Sequence, residues 1–220
     1  MSYYIHAAKF FLKHVTEIGG YLEVTDDGQF GQYLPESAKP EGEIVEQPGK
    51  LIAPGLVDTH IHGLLGHDVM DNDWDGINTM SQNLLKAGVT SWLPTTLTGS
   101  FDQLNDVCKT IAAHAGEESG AKIQGIYFEG PYFTTKHKGA QNPKYFKNPS
   151  EKEYDAWQTS ANGLLKKSPL RQNVTVQLRL RGMRPEMEPL WRWVIVMLPL
   201  NRQKLVLKRV PLSSRIPLTG

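Results

Sequence analysis

Leu56-Val57-Asp58-Thr59-His60-Ile61-His62-Gly63, preceded by Ala53-Pro54-Gly55, is the stretch on which the reading of the fold turns. The apolar pair Leu56-Val57 opens a strand, and because strand side chains alternate between faces, His60 and His62 point the same way. Ile61 points the other way, as expected of a strand buried on both sides within a parallel sheet, and Gly63 ends it where the backbone turns aside. Paired imidazoles at a strand end suit a divalent metal, since burying them together is costly unless a metal or a carboxylate satisfies them. The plain alternative is a surface strand with two incidental histidines.

Beyond Gly63 the pattern alternates between helix and strand. Ile77, Met80, Leu84 and Leu85 keep one helical face, and Ala87-Gly88-Val89 leads from it into a strand at Ser91-Trp92-Leu93-Pro94. Ser100 and Gln103 have capping-box spacing ahead of a stripe of Leu104, Val107, Ile111 and Ala112. A third strand is expected over 123–128, and a third helix from Ser150, with Glu153 three residues on, to about Ala161. Three βα units without a hairpin signal argue for a parallel sheet, in a barrel or a doubly wound arrangement.

Glu129 closes the third strand, followed by Gly130-Pro131-Tyr132-Phe133. In a barrel this carboxylate shares the active-site rim with His60 and His62, a set that fits zinc or a similar ion; the alternative is a cap or a salt bridge. The loop Lys136-His137-Lys138-Gly139-Ala140-Gln141-Asn142-Pro143 could hold an anionic or sugar ligand, although charge alone reads as a solvated basic loop.

Upstream, Tyr21 to Val24 and Phe30 to Leu34 flank Asp26-Asp27-Gly28, a hairpin signature, and residues 39–49 read as a polar connection into a strand at Leu51. Residues 1–50 are thus a small β module. At 40% apolar content the 220 residues can build a real core. With no apolar run of bilayer length and no basic-then-hydrophobic leader, no membrane partner and a cytoplasmic location are expected. Cys108 stands alone in a helical pattern and reads as a buried apolar residue.

Pro54 through Gly63, Gly88-Val89-Thr90 to Pro94-Thr95-Thr96, and Phe128-Glu129-Gly130-Pro131 to Lys138-Gly139-Ala140-Gln141-Asn142-Pro143 together resemble the N-acetylglucosamine-6-phosphate deacetylase family of the amidohydrolase superfamily. The His-x-His strand marks the superfamily; Glu-Gly-Pro with Gly-Ala-Gln-Asn-Pro narrows it to the deacetylases. The resemblance covers roughly residues 20–167. It implies an α/β fold, a metal-dependent (β/α)8 TIM barrel, incomplete here, beside a small amino-terminal β-sandwich. The implied divisions are 1–50 for the β module, 51–167 for the first βα units and 168–220 for a tail. It further implies a divalent metal, Zn, Fe or similar, with Glu129 as ligand and His60 and His62 as the pair that holds a second metal in some members. Ala140 and Gln141 would contact a phosphorylated amino-sugar substrate, and the family is expected to be homo-oligomeric. Two further ligand histidines and a proton-shuttling aspartate belong to the family, and no residue written here matches them. The expected activity is hydrolysis of N-acetylglucosamine 6-phosphate to glucosamine 6-phosphate and acetate. The alternatives are another amidohydrolase acting on a cyclic amide, or a non-catalytic fragment.

The tail explains the missing residues. Residues 1–167 hold 14 Lys, no Arg and 21 acids, whereas 168–220 hold 2 Lys, 8 Arg and 2 acids, with no His and no Asp. If the last base of each codon is read with the first two of the next, 168–176 admits Ala-Leu-Ala-Pro-Glu-Arg-Asp-Gly. In the same frame 191–199 admits Ala-Leu-Gly-His-Ser-Asn-Ala-Thr, and 215–220 admits His-Thr-Phe-Asn-Gly. Each resembles a family motif, and they come in the family's order. A frameshift near Ser168 is inferred, and the chain as written is expected to be inactive. The alternative, a basic tail for nucleic acid, lacks any such motif, so no nucleic-acid partner is expected.

Overall fold

The computed structural model describes residues 2–168, so the frameshift reading and its tail lie outside the described residues. These fall into two compact units that meet in sequence between Gly55 and Leu56.

The first unit is a single sheet among the described residues. It comprises β1 (Tyr3–Phe11), β2 (Thr16–Ile18), β3 (Tyr21–Val24), β4 (Phe30–Leu34) and β5 (Ile44–Ile52). β2 and β3 lie antiparallel to β1 along one edge in a common register, Lys9 opposite Ile18 and His6 opposite Tyr21, broken only at Gly19-Gly20. β3 and β4 form the expected hairpin. The segment read as a connection, 39–49, instead supplies most of β5, which runs parallel to β1 and extends this sheet past residue 50 to Ile52. Its Pro48 and Gly49 signalled a loop, but the ladder shifts register between Ala7 and Lys9 and so accommodates them as an irregularity. Ala7, Phe10 and Leu22 form the buried centre of the unit.

Across this sheet His6 sits between directly opposed residues. Its ring stacks on Tyr21 at 4.6 Å, its Nδ1 meets Glu46 at 2.6 Å and its Nε2 meets Glu36 at 3.0 Å. Glu36 also accepts from the main-chain N–H of Gly20. The Glu46 hydrogen bond is the largest influence on His6 and, with Glu36, raises its pKa above the ordinary 6.5 against the opposing effect of burial.

In the second unit, β6 (Leu56–Ile61) is followed by a short hairpin of β7 (Gly63–Leu64) and β8 (His67–Asp68), then α1 (Trp74–Leu84) and β9 (Val89–Thr96). Next come α2 (Phe101–His114), β10 (Lys122–Ile123), β11 (Ile126–Phe128), α3 (Glu151–Ser160) and β12 (Leu165–Lys167). The expected third strand is split at Gln124-Gly125 into β10 and β11, which pair one after the other with the same edge of β9. All pairings among β6, β9, β10, β11 and β12 are parallel, in the spatial order β6, β9, β10/β11, β12. Each strand adds beside its predecessor. Among the described strands the order winds one way, without a reversal.

The helices cover one face of this sheet. Ile77, Met80 and Leu84 of α1, Leu104, Val107, Cys108 and Ile111 of α2, and Trp157 of α3 pack against Trp92, Ile123, Ile126 and Phe128. Cys108 is fully buried, which pushes its thiol up to about 12. Trp92 and Trp157 keep their indole N–H groups satisfied, by the carbonyls of Ala121 and Phe101. Ser100 and Gln103 complete the capping box of α2. At α3 only half the box forms: Ser150 accepts from the Glu153 N–H, while the Glu153 carboxylate pairs with Lys147 at 2.8 Å. β6 departs from its reading as a strand buried on both sides. Val57 is half exposed, and β9 is its one strand neighbour among the described residues.

Ser100→Ala should destabilise the second unit by about 1 kcal/mol, the usual effect of losing a helix cap, read as a lowered midpoint of thermal unfolding. For the first unit, a histidine whose folded pKa is raised contributes stability that is complete below pH 6.5 and is lost as pH rises through the folded value. The urea midpoint of this sheet should therefore fall as pH goes from 6 towards 8, and Glu46→Gln should flatten that dependence.

Candidate metal centre

β6 brings His60 and His62 to the carboxyl end of the sheet through an irregularity. Asp58 lies opposite Trp92 but Ile61 lies opposite Pro94, so β6 carries one more residue than β9 over this interval. Side chains take up backbone donors within this irregular stretch. The Asp58 carboxylate accepts from the His60 N–H at 2.9 Å, and the Thr95 hydroxyl accepts from the Ile61 N–H at 3.1 Å. Such bulges re-aim side chains at sites, and here both imidazoles turn to one point.

β11 delivers the third group. Phe128 packs into the helix-covered core, so by alternation Tyr127 and Glu129 take the opposite face. The Glu129 N–H donates to the carbonyl of Thr96 at 3.1 Å, and the Thr98 hydroxyl donates to the carbonyl of Glu129 at 3.3 Å. Gly130 has φ +121, and a Cβ there would strike Thr98, so this close approach of strand ends requires glycine.

His62 Nε2 lies 2.9 Å and His60 Nε2 3.3 Å from Glu129 Oε2, and the two Nε2 atoms are 3.2 Å apart. His62 Nδ1 lies 3.1 Å from the carbonyl oxygen of Thr95. A carbonyl can only accept, so the His62 proton sits on Nδ1 and Nε2 turns a bare lone pair toward a carboxylate oxygen. Two acceptors at that distance need a cation between them, either a proton or a metal ion. The spacing suits a metal: ligand bonds of about 2.0–2.1 Å in a tetrahedron put ligand atoms about 3.3 Å apart. The carbonyl that orients His62 is the outer partner typical of metal-bound histidines. The centre stays accessible, with His60 44% and His62 30% exposed. The edge of the Tyr127 ring closes one side of His60 at 5.0 Å, and Lys167 lies over that same ring.

The residues read from the sequence separate here. His60, His62 and Glu129 converge, and among the described residues they are the one group of three or more such side chains placed to hold an ion. Gln141 is buried and its amide reaches Glu129, while Ala140 beside it is exposed. Asn142, read as offering donors and acceptors to a ligand, accepts from the Lys144 N–H and caps the turn at Pro143–Tyr145. Lys136 and Lys138 are exposed, in line with a solvated loop. Sequence reasoning gave no role to Thr95 and Thr98. Thr95 acts through its hydroxyl and its carbonyl and Thr98 through its hydroxyl and its N–H, and Thr95 lay inside a motif already singled out.

No family model matches the chain. It is 42% identical over 118 residues to an N-acetylglucosamine-6-phosphate deacetylase of Vibrio furnissii, covering 52% of this chain and 29% of that protein. It is 36% identical over 154 residues to one of Bacillus subtilis, covering 67% of this chain and 38% of that protein. An N-acetylgalactosamine-6-phosphate deacetylase of Escherichia coli O157:H7 is 38% identical over 113 residues, covering 51% of this chain and 30% of that protein. In fold, the chain resembles the crystal structure of N-acetylglucosamine-6-phosphate deacetylase from Pasteurella multocida, with a TM-score of 0.71 over 80% of this chain and 46% of that one, at 22% identity. The chain thus spans about a third of the length of the curated relatives it matches. Over the part that it shares with them, this chain is similar in sequence to proteins named as N-acetylglucosamine-6-phosphate deacetylases, and it shares the fold of a solved one.

Proposed function

We propose that the chain carries the amino-terminal part of a metal-dependent deacetylase that hydrolyses N-acetylglucosamine 6-phosphate to glucosamine 6-phosphate and acetate. The observation that carries this reading is the convergence of His60 Nε2, His62 Nε2 and Glu129 Oε2 within 3.3 Å of one another at the strand ends. The order of the parallel strands supports a (β/α)8 barrel of which these are the first, and the sheet of residues 2–55 supports one layer of a β-sandwich. The Glu-Gly-Pro and Gly-Ala-Gln-Asn-Pro segments favour a deacetylase over an amidohydrolase for cyclic amides. The ion would be Zn, Fe or similar, held by Glu129 with His60 and His62. Bound there, it supplies Lewis-acid polarisation of the acetamide carbonyl and a lowered pKa for an attacking water.

The chain's own residues prepare that chemistry. Thr95 holds His62 in the ligating tautomer, and Asp58 and the Thr95 hydroxyl hold the bulge that aims both histidines. The general base is not among these residues. All seven histidines precede residue 138, and residues 168–220 add neither His nor Asp, so we read the two further ligand histidines of the resemblance in the shifted frame, while its aspartate matches no residue written here. We take the whole enzyme to be a cytoplasmic homo-oligomer, since a phosphorylated sugar does not diffuse across a bilayer. Among the described residues no helix is long and apolar enough to cross a membrane.

Acetate release from N-acetylglucosamine 6-phosphate, with the galactosamine epimer alongside, tests the reading. The frame-restored protein should turn over the glucosamine substrate with divalent metal, and the 220-residue chain should show no activity above background. Activity in the chain as written would overturn the frameshift, and failure of the restored protein on both sugars would overturn the deacetylase reading. Glu129→Gln should weaken metal binding by more than the roughly 10–100-fold that loss of an outer partner costs, because an anionic ligand is removed. Metal content after dialysis, by elemental analysis, measures this. His60→Ala should halve the bound metal if two ions bind and leave the stoichiometry unchanged if one does.

A further inference from the structure

We infer that Gln141 is a positioning residue that holds Glu129 in its ligating conformation; this rests on the metal reading above. The side chain is 7% exposed and both ends of its amide are engaged. Oε1 accepts from the main-chain N–H of Thr98 at 2.8 Å, and Nε2 donates to Glu129 Oε2 at 3.0 Å. That carboxylate oxygen is the one lying closest to His62 Nε2. The orientation of the amide follows from its partners. Turned over, it would set its NH2 against an N–H donor and its oxygen against a carboxylate, leaving both contacts repulsive.

Gln141 therefore links two fixed points. One is the backbone just beyond β9, the strand whose Thr95 carbonyl orients His62. The other is the free end of Glu129, whose three side-chain torsions would otherwise have to be ordered when an ion binds. A donor aimed at a ligating carboxylate removes that ordering from the binding step. It also leaves Gln141, on a nearly buried side chain, one N–H and one lone pair of Oε1 toward a ligand, while the neighbouring Ala140 is exposed.

Cobalt(II) titrated into the full chain, against a competing chromogenic chelator and with the visible cobalt bands recorded, tests this. Gln141→Met, similar in length but unable to donate or accept here, should bind cobalt about 10–100-fold more weakly with altered bands. The metal-free variant should meanwhile remain cooperatively folded, with a thermal midpoint lowered because the buried Thr98 N–H loses its acceptor. An unaltered chain that takes up no cobalt overturns the metal reading and this inference with it. Binding by the unaltered chain together with equal affinity and equal bands in Gln141→Met overturns the role of Gln141 alone. Should Gln141→Met fail to fold, the side-chain amide signals of the unaltered protein decide. Slow solvent exchange and a shift on adding zinc uphold the inference, and exchange like that of an exposed glutamine with no response to zinc overturns it.

Discussion

The second unit is arranged around a contact that cannot persist without a cation. His62 Nε2 and Glu129 Oε2 face each other at 2.9 Å, and the Thr95 carbonyl has already claimed the one hydrogen that a neutral His62 carries. Lone pair against lone pair is repulsive, so bringing these strand ends together costs free energy that only a positive charge between them recovers. A proton answers that need, and so does a divalent ion. The third acceptor, His60 Nε2, lies 3.2 Å from its neighbour and turns a pair into a triangle, which is the feature that distinguishes an ion site from an ordinary histidine–carboxylate pair.

β9 contributes no ligand to this triangle and yet positions every member of it. Its Thr95 takes the Ile61 N–H on its hydroxyl and the His62 ring on its carbonyl; its Thr96 takes the Glu129 N–H; and Thr98, just past its end, donates its hydroxyl to the Glu129 carbonyl. Parallel strands offer evenly spaced bonds along both edges, so a central strand can register two neighbours at once. On the β6 side the spacing is broken by one extra residue between Asp58 and Ile61, and this bulge advances the two histidines to the level of Glu129. A misplacement of either outer strand by one residue would turn its side chains to the opposite face and dismantle the site.

Legibility in the sequence followed the length scale of the cause. The α1 and α2 helices, the αL glycine at Gly88 and the capping box at Ser100 rest on interactions within a few residues, and the pattern of residue types revealed them. His60 and His62 could be placed on one face because strand alternation is also local. The pairing of residues 44–52 with β1, by contrast, is made between segments some forty residues apart, and the prolines and glycines of that stretch argued for a loop. The half-formed box at α3 failed for a similar reason, since Lys147 competes for the Glu153 carboxylate. Within the site, Thr95 and Thr98 each act through a hydroxyl and a main-chain atom on partners distant in sequence, and no local residue pattern points to such pairs.

Glu129 illustrates why the loop after β11 reads so specifically. A glutamate reaching from a strand end is long and, left alone, would sample several rotamers, each presenting its charge to a different point in space. The chain counters this from both directions. Gly130 lets the backbone of Glu129 lie against Thr98, and Gln141, returning from the far side of a loop, fixes the carboxylate relative to the same residue. The turn capped by Asn142 directly after it sets the direction in which the loop leaves, so Gln141 is held by its own main chain as well as by Thr98. Residues spaced between 129 and 143 are thus bound together around one carboxylate. Gly-Ala-Gln-Asn-Pro and Glu-Gly-Pro, which the sequence shows as two separate motifs, are in the folded chain two halves of a single support.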